Sequence, residues 1–321
     1  MSKKIAYIFN DSEISAGTRG ASLGPGAIRV VDDNSGNYLF SKYPAYHVET
    51  YNNLLDEPTP YKYGKRINGM VKLYENISKL ISIQRNENDF LIVIAADHGS
   101  AGGTVAGLKI ANPSHNIGVL WIDAHADIHS PYTTPSGNMH GMPVAAIMDE
   151  DNLACKINDL TVEEKRMWEE MKTVGDVAPK TAYKNLAYIG LRDLEQPEID
   201  VLKKNNVTNI TVAELREKGT EVVIRSLMKK FEFCNEIYVS FDVDSMDPEL
   251  TSHGTGTPVP NGITPDEAKV LLKHFANHPK TKCIEFVEVN PCLDEKKNKM
   301  AEVAYDLIKE VVAVVENKSS L

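Results

Sequence analysis

Apolar residues in this chain gather in short unbroken runs, separated by longer stretches in which they recur every three or four positions. The runs are Lys4–Phe9, Tyr46–Tyr51, Phe90–Ala95, Ile117–Ile122, Leu186–Gly190, Glu236–Phe241 and Lys282–Val289, most of them nearly continuous in Val, Ile and Leu. Continuity, rather than strict alternation with polar residues, marks strands buried on both faces. In Lys65–Ile83 the residues Ile67, Val71, Tyr74, Ile77, Leu80 and Ile81 fall near one face at helical spacing, and Pro265–Ala276 and Ala301–Val315 also read as helices. Thr264-Pro265-Asp266-Glu267 supplies an N-cap, a first-turn proline and first-turn acids. Strand alternating with helix predicts an α/β protein: a single domain over residues 1–321 with a mostly parallel central sheet, flanked by helices on both faces.

Two regions are less regular. Asp149–Lys184 is polar and weakly patterned, and is expected as an excursion carrying one helix near Val162–Thr173. The first 40 residues, with Gly17, Gly20, Gly24 and Gly26, are expected as loops around one short helix. The glycine-rich run Gly99–Gly107 lacks the G-K-[ST] ending of a phosphate-binding loop and is expected to serve close packing at a helix start.

Charge narrows the function. A formal net charge of −10 argues against a nucleic-acid partner, whose binding needs a basic surface. No apolar stretch approaches the roughly 18 residues of a membrane span, and the run after Met1 is too short for a signal peptide. The four cysteines, Cys155, Cys234, Cys283 and Cys292, form no CxxC pair and suit a reduced compartment. A cytoplasmic enzyme is the expectation.

The chemistry sits where expected strands end, which is where open α/β sheets bind ligands. Val93-Ile94-Ala95-Ala96-Asp97-His98 is the first such end, Leu120-Trp121-Ile122-Asp123-Ala124-His125-Ala126-Asp127 the second, and Val239-Ser240-Phe241-Asp242-Val243-Asp244 the third. Asp123, His125 and Asp127 are spaced by two, so on extended backbone they point to one side, and Asp242 and Asp244 repeat the pattern. Burying several carboxylates together is costly unless cations neutralise them. Four aspartates with two histidines offer about three ligands to each of two divalent ions. Manganese is the expected ion, although affinity order leaves Co²⁺, Ni²⁺ and Zn²⁺ open. Two ions about 3.5–4 Å apart share a water and lower its pKa, giving a bridging hydroxide usable near neutral pH. Such a site hydrolyses phosphates, amides or guanidines, and the ligand set alone does not choose among them.

These segments resemble the ureohydrolase family, which includes arginases, agmatinases and formimidoylglutamases. Asp247-Pro248, Gly254-Thr255-Gly256-Thr257-Pro258 and Glu288-Val289-Asn290-Pro291 add to the resemblance, which extends over nearly the whole chain. It implies an arginase-like fold and two Mn²⁺ per chain, held by His98, Asp123, His125, Asp127, Asp242 and Asp244. His140 matches the histidine that shuttles protons to the leaving amine, and Glu288 the acid that binds the guanidinium. Asp127 is expected to hold the hydroxide and pass its proton on. Thr134-Pro135-Ser136-Gly137-Asn138-Met139-His140-Gly141-Met142-Pro143 resembles the arginase branch, in which the matching Ser136 and Asn138 contact a substrate carboxylate. Thr257 is expected to line the same pocket, and the segment with Asp193 and Glu195 to meet the α-amino group. The implied activity is hydrolysis of L-arginine to L-ornithine and urea, in a homo-oligomer, a trimer by family resemblance. Agmatinase or another guanidine hydrolase is the alternative, and a silent regulatory member the remote one.

Three departures from the family pattern stand out. Ala95-Ala96 replaces a glycine pair and should crowd its turn. His129 stands where arginases usually carry Asn, and Glu195 where they often carry Asp. His129 is expected to donate a hydrogen bond to substrate in place of the Asn, or to act as an extra ligand. Glu195 is equally readable as a helix-start acid. His253, in a Ser-His-Gly loop, is expected at the surface.

Overall fold

The computed structural model describes residues 3–317. The expected domain of 1–321 therefore extends past them, with Met1, Ser2 and residues 318–321 outside the described part.

Eight strands form one sheet: β1 Ile5–Asn10, β2 Ala45–His47, β3 Phe90–Ala95, β4 Ile117–Ile122, β5 Leu186–Ile189, β6 Thr208–Ile210, β7 Glu236–Asp242 and β8 Thr281–Val287. Their order across the sheet is β2-β1-β3-β8-β7-β4-β5-β6. Every pair is parallel. Period-two geometry sends alternate residues to opposite faces. Ile5, Tyr7 and Phe9 of β1 enter one apolar cluster while Ala6 and Ile8 enter another; Phe90, Ile92 and Ile94 of β3 part in the same way from Leu91 and Val93. Both faces are dry, which explains why these strands read as unbroken apolar runs.

Helices cover the two faces separately. The first cluster takes α1 (Gly24–Ser35), α7 (Val212–Lys218), α8 (Thr220–Lys230), α9 (Pro265–Asn277) and α10 (Lys299–Asn317). The second takes α2 (Ile67–Glu87), α3 (Ala101–Ala111), α4 (Pro143–Met148), α5 (Val162–Thr173) and α6 (Gln196–Lys204). Thr264 caps α9 as its sequence predicts: its hydroxyl accepts the Glu267 N–H at 3.0 Å and the Glu267 carboxylate accepts the Thr264 N–H at 2.7 Å. Close packing explains the glycines of α3, since a Cβ on Gly107 would stand 2.5 Å from Ile81 Cβ on α2.

The structure corrects several expectations. The run Tyr46–Tyr51 is not a six-residue strand: β2 covers only Ala45–His47, a short edge with one neighbour. At the other edge β6, also three residues, leaves too little pattern to be seen in sequence. The first 40 residues hold β1 and a helix of 12 residues as well as loops. The small residues of α3 are buried from Ala101 to Leu108, so no polar face advertises that helix.

Strands β3, β8, β7 and β4 are neighbours at the centre of the sheet. Consecutive β3 and β4 flank the β8–β7 pair, so their carboxyl ends open on a crevice where the connection changes direction.

Candidate metal centre and adjoining pocket

Each of three central strands ends in the same local turn. Asp97 Oδ1 accepts the Gly99 N–H at 3.0 Å after β3, Asp123 Oδ1 accepts the His125 N–H at 2.7 Å after β4, and Asp242 Oδ1 accepts the Asp244 N–H at 2.8 Å at the end of β7. An aspartate bonding its own backbone two residues on is a turn device, not strand geometry. This revises the basis for convergence: β4 stops at Ile122, and Asp127 has φ +50°. The side chains meet because the chain turns after each strand.

The cluster is tight and dry. His98 Nδ1 lies 3.0 Å from Asp123 Oδ2, 3.1 Å from Asp127 Oδ2 and 3.1 Å from Asp242 Oδ2. His125 Nδ1 lies 3.0 Å from Asp244 Oδ2 and 3.5 Å from Asp123 Oδ1. Two three-residue groups, each with its donor atoms within 4.8 Å of one another, share Asp123: His98 with Asp123 and Asp127, and Asp123 with His125 and Asp244. Sequence expectation thus named six residues, and the fold brings all six together.

Electrostatics show what the cluster lacks. Burial, and then the charge of Asp123, pushes Asp127 up to about 7. Burial and the Asp244 charge push Asp242 well above the carboxylate range, and burial and the Asp123 charge raise Asp244 as well. Asp123 moves the other way, because hydrogen bonding to His125 and His98 outweighs its burial. Both histidines are held well above their ordinary range, the surrounding carboxylates outweighing burial. Too many acids therefore compete for too few counter-charges. Oxygen donors with two imidazoles and no thiolate fit hard or borderline divalent cations.

Beside the cluster is a cavity of about 160 Å³ lined by His125, Asp127, His129, Thr134, Pro135, Ser136, Asn138, His140, Gly141, Asp193, Glu195, Glu198 and Thr257. Every expected pocket residue but one is on this wall. The exception is Glu288, which lies outside the lining, with Oε1 accepting the His98 N–H at 2.8 Å. Burial, then the Asp97 charge, pushes Glu288 up to about 8, and its backbone has φ +71°. Left-handed backbone at non-glycine residues costs on the order of 1 kcal/mol or more and clusters at functional sites. Here it occurs at both Asp127 and Glu288. His140 is lowered to about 4 by burial, then by repulsion from His125 and His98, so its ring is neutral at neutral pH.

The rim carries the departures. His129 Nδ1 is 3.0 Å from Thr133 Oγ1. Its Nε2 is 2.9 Å from Glu195 Oε2 and 3.8 Å from Glu198 Oε2, within ion-pair range, yet makes no hydrogen bond. As an extra ligand His129 is unsupported, since it joins neither ligand group. Glu195 sits at the N-cap of α6, as its helix-start reading has it, and also lines the cavity. His253 is exposed and pairs with Glu295 at 3.2 Å.

Some participants escaped sequence reasoning. Trp121 stacks on the His98 ring at 4.1 Å and donates its Nε1–H to Asp123 Oδ2 at 2.9 Å. Glu198 lines the cavity and accepts the Glu195 N–H at 3.1 Å; the Glu-x-x-Glu spacing at a helix start was its only sequence signal. Lys65 Nζ donates to Asn138 Oδ1 at 3.0 Å. Arg192 donates to the carbonyls of Gly190, Asp244, Ser245, Val259 and Pro260, tying the turn after β7 to the loop behind Thr257.

Comparison with known proteins agrees with this geometry. The profile of the Arginase family matches residues 9–313. An arginase of Brevibacillus brevis is 30% identical over 324 residues, covering 97% of this chain and 98% of that protein. The crystal structure of arginase from Bacillus subtilis subsp. subtilis str. 168 superposes with a TM-score of 0.82 at 28% identity, over 97% of this chain and 98% of that one. Arginase from Entamoeba histolytica, in complex with L-ornithine, does so with a TM-score of 0.79 at 25% identity, over 97% and 99%. With whole-length sequence kinship and the same fold, the chain belongs to the arginase family, whose members are hydrolases acting on the guanidino C–N bond of arginine.

Proposed function

We propose that this protein hydrolyses L-arginine to L-ornithine and urea with two Mn²⁺ per chain. The observation that carries the reading is the meeting of four buried carboxylates and two imidazoles, sharing Asp123, on the floor of a cavity whose wall holds the Ser136–His140 loop. His98, Asp123, Asp127 and Asp242 would hold one ion, and His125 and Asp244, with Asp123, the second. Bound divalent cations supply charge neutralisation and a water acidic enough to act as nucleophile near neutral pH.

The chain's own groups do the rest. The Asp127 carboxylate accepts a hydrogen bond from the attacking water and fixes its direction. Glu288 pairs with the guanidinium; a cation docking there restores the charge that burial opposes. Water adds to the guanidinium carbon, the bond to the substrate chain nitrogen breaks, and urea separates. His140, neutral beforehand, takes the first proton that the water releases and hands it to the departing amine, and Asp127 passes the second from the added oxygen to the same nitrogen, so that neutral urea and an ammonium group result. At the outer end Ser136, Asn138 and His129 Nε2 face the α-carboxylate, and Asp193, Glu195 and Glu198 the α-ammonium, with Thr257 on the same wall.

The alternative substrate is agmatine, which lacks the carboxylate. Urea release from arginine, agmatine and other guanidines in the presence of Mn²⁺ tests the reading; a strong preference for agmatine overturns it. Four free cysteines fit a reduced compartment, and cytoplasmic placement is part of the proposal. So are a single catalytic domain, a homotrimer and the absence of a nucleic-acid or membrane partner. No helix among the described residues is long and apolar enough to cross a membrane.

A further inference from the structure

One buried acid has no part in this chemistry. Glu285 lies mid-strand on β8, fully buried, paired in register with Ser240 on one side and Val93 on the other. A carboxyl group in the middle of an apolar sheet is costly without hydrogen bonds. Its Oε2 accepts the Tyr238 hydroxyl at 2.7 Å, while Oε1 has no hydrogen bond of its own. Tyr238 is in turn 3.3 Å from Ser240 Oγ, and Ser240 Oγ is 2.7 Å from His98 Nε2. All four side chains are buried.

The direction of this chain follows from His98. Its Nδ1 faces three carboxylates of the cluster, so Nδ1 must be the bare nitrogen when a cation is bound there, and Nε2 carries the hydrogen. Nε2–H then donates to Ser240 Oγ. The Tyr238 hydroxyl is the donor toward Ser240 Oγ at 3.3 Å and toward Glu285 Oε2 at 2.7 Å. Tyr238 directs its single hydrogen to the Glu285 carboxyl, the shorter of its two contacts. Ser240 thus stands between His98 and Tyr238, and the contacts run on to Glu285.

We propose that Tyr238 and Glu285 are positioning residues for the metal centre, acting through Ser240 to fix the orientation of His98. Among the described residues Glu285 forms no ion pair: Tyr238 donates to it at 2.7 Å, and the Thr104 hydroxyl lies beside it. Trp121, stacked on the His98 ring, fixes the plane of the imidazole, and the chain through Ser240 fixes its rotation within that plane. The inference rests on His98 being a ligand, as in the reading above.

The test measures Mn²⁺ binding by titration calorimetry on the parent, Tyr238→Phe, Glu285→Leu and the double variant, with metal-free melting curves to show that each is folded. Groups that support metal ligands through hydrogen bonds are typically worth 10–100-fold in metal affinity, so each single variant should bind about 10-fold more weakly. The double variant should be no worse than either single one, because both cut the same chain. Glu285→Gln, which keeps an acceptor oxygen, should bind as the parent does. Dissociation constants within about twofold of the parent in both single variants, or losses that multiply in the double variant, overturn the proposal. A parent that binds no Mn²⁺ would instead overturn the reading of the centre itself.

Discussion

Strand β7 buries acids at both of its ends, and the two ends treat them differently. At the amino end, Glu236 receives Arg85 Nη2 at 2.9 Å and Nε at 3.2 Å, with Asn112 Nδ2 at 3.1 Å and His115 Nδ1 at 3.0 Å. The protein itself supplies every partner that this carboxylate needs. At the carboxyl end, Asp242 and Asp244 meet Asp123 and Asp127 with only two histidines between them, and three of the four carboxyl groups are raised. A fold that can balance a buried acid with arginine, asparagine and histidine has left three others unbalanced at the far end of the same strand. The contrast separates a structural acid from one that waits for cations.

Removing one member from each end should give opposite phenotypes. Asp242→Ala should abolish urea release and Mn²⁺ binding at its position, while leaving the metal-free protein as stable as the parent or more so, because one of several crowded acids is gone. Glu236→Ala should leave Mn²⁺ stoichiometry intact but lower unfolding free energy by up to about 3 kcal/mol, since it strands the part-buried Arg85 guanidinium. Urea assay, calorimetry and denaturant melts on the two variants read this directly. Metal binding lost in Glu236→Ala, or retained in Asp242→Ala, would erase the distinction.

Much of this was legible beforehand, for physical reasons. Central strands such as β3 and β4 showed the bounds the sequence gives them because both faces are dry and any polar residue would be conspicuous. The six clustered donors were legible because several acids beside apolar runs have few structural explanations. What stayed hidden depends on partners remote in sequence. Trp121 reads as one more core residue until His98 is placed against it. Glu285 reads as a polar break in β8 until Tyr238 is seen facing it across the sheet. Likewise β6 pairs only with β5 and gains its order from that neighbour, not from its own three residues.

Cations should sharpen the contrast further. At a free concentration of 100 times the dissociation constant, Mn²⁺ should stabilise the parent by about 2.7 kcal/mol and Asp242→Ala by far less. The pH dependence should also change sign. In the metal-free protein Asp127 and Glu288 titrate at about 7 and about 8, above their unfolded values. Stability from a raised group is complete below the unfolded pKa and is lost as pH rises through the folded one. His140, lowered to about 4, works oppositely but only below about 6.5. Between pH 6.5 and 8 the metal-free parent should therefore lose stability, Glu288 alone contributing about 2 kcal/mol across that window. Glu288→Gln should flatten the slope. With Mn²⁺ present stability should instead rise with pH, because protons compete with the ions for the same atoms. Parallel slopes with and without Mn²⁺ would mean that the ions do not occupy these carboxylates.

The rim lies between the two extremes, since Glu195 and Glu198 share the His129 imidazole while Asp193 lies 3.7 Å from that of His125, and there the smallest effect is expected. His129 Nε2 lies 2.9 Å from Glu195 and 3.8 Å from Glu198 without a hydrogen bond to either, so on the Nε2–H tautomer its hydrogen is uncommitted. A donor to a charged ligand group is worth about 1.5 kcal/mol, or roughly 10-fold in affinity. His129→Ala should raise KM for arginine by about that factor with kcat little changed, because the contact is made equally in ground and transition states. The same variant should leave agmatine kinetics almost untouched, agmatine having no carboxylate to lose. An equal rise in KM for both compounds would place His129 in the architecture of the α6 entrance, holding Glu195, and not in substrate selection.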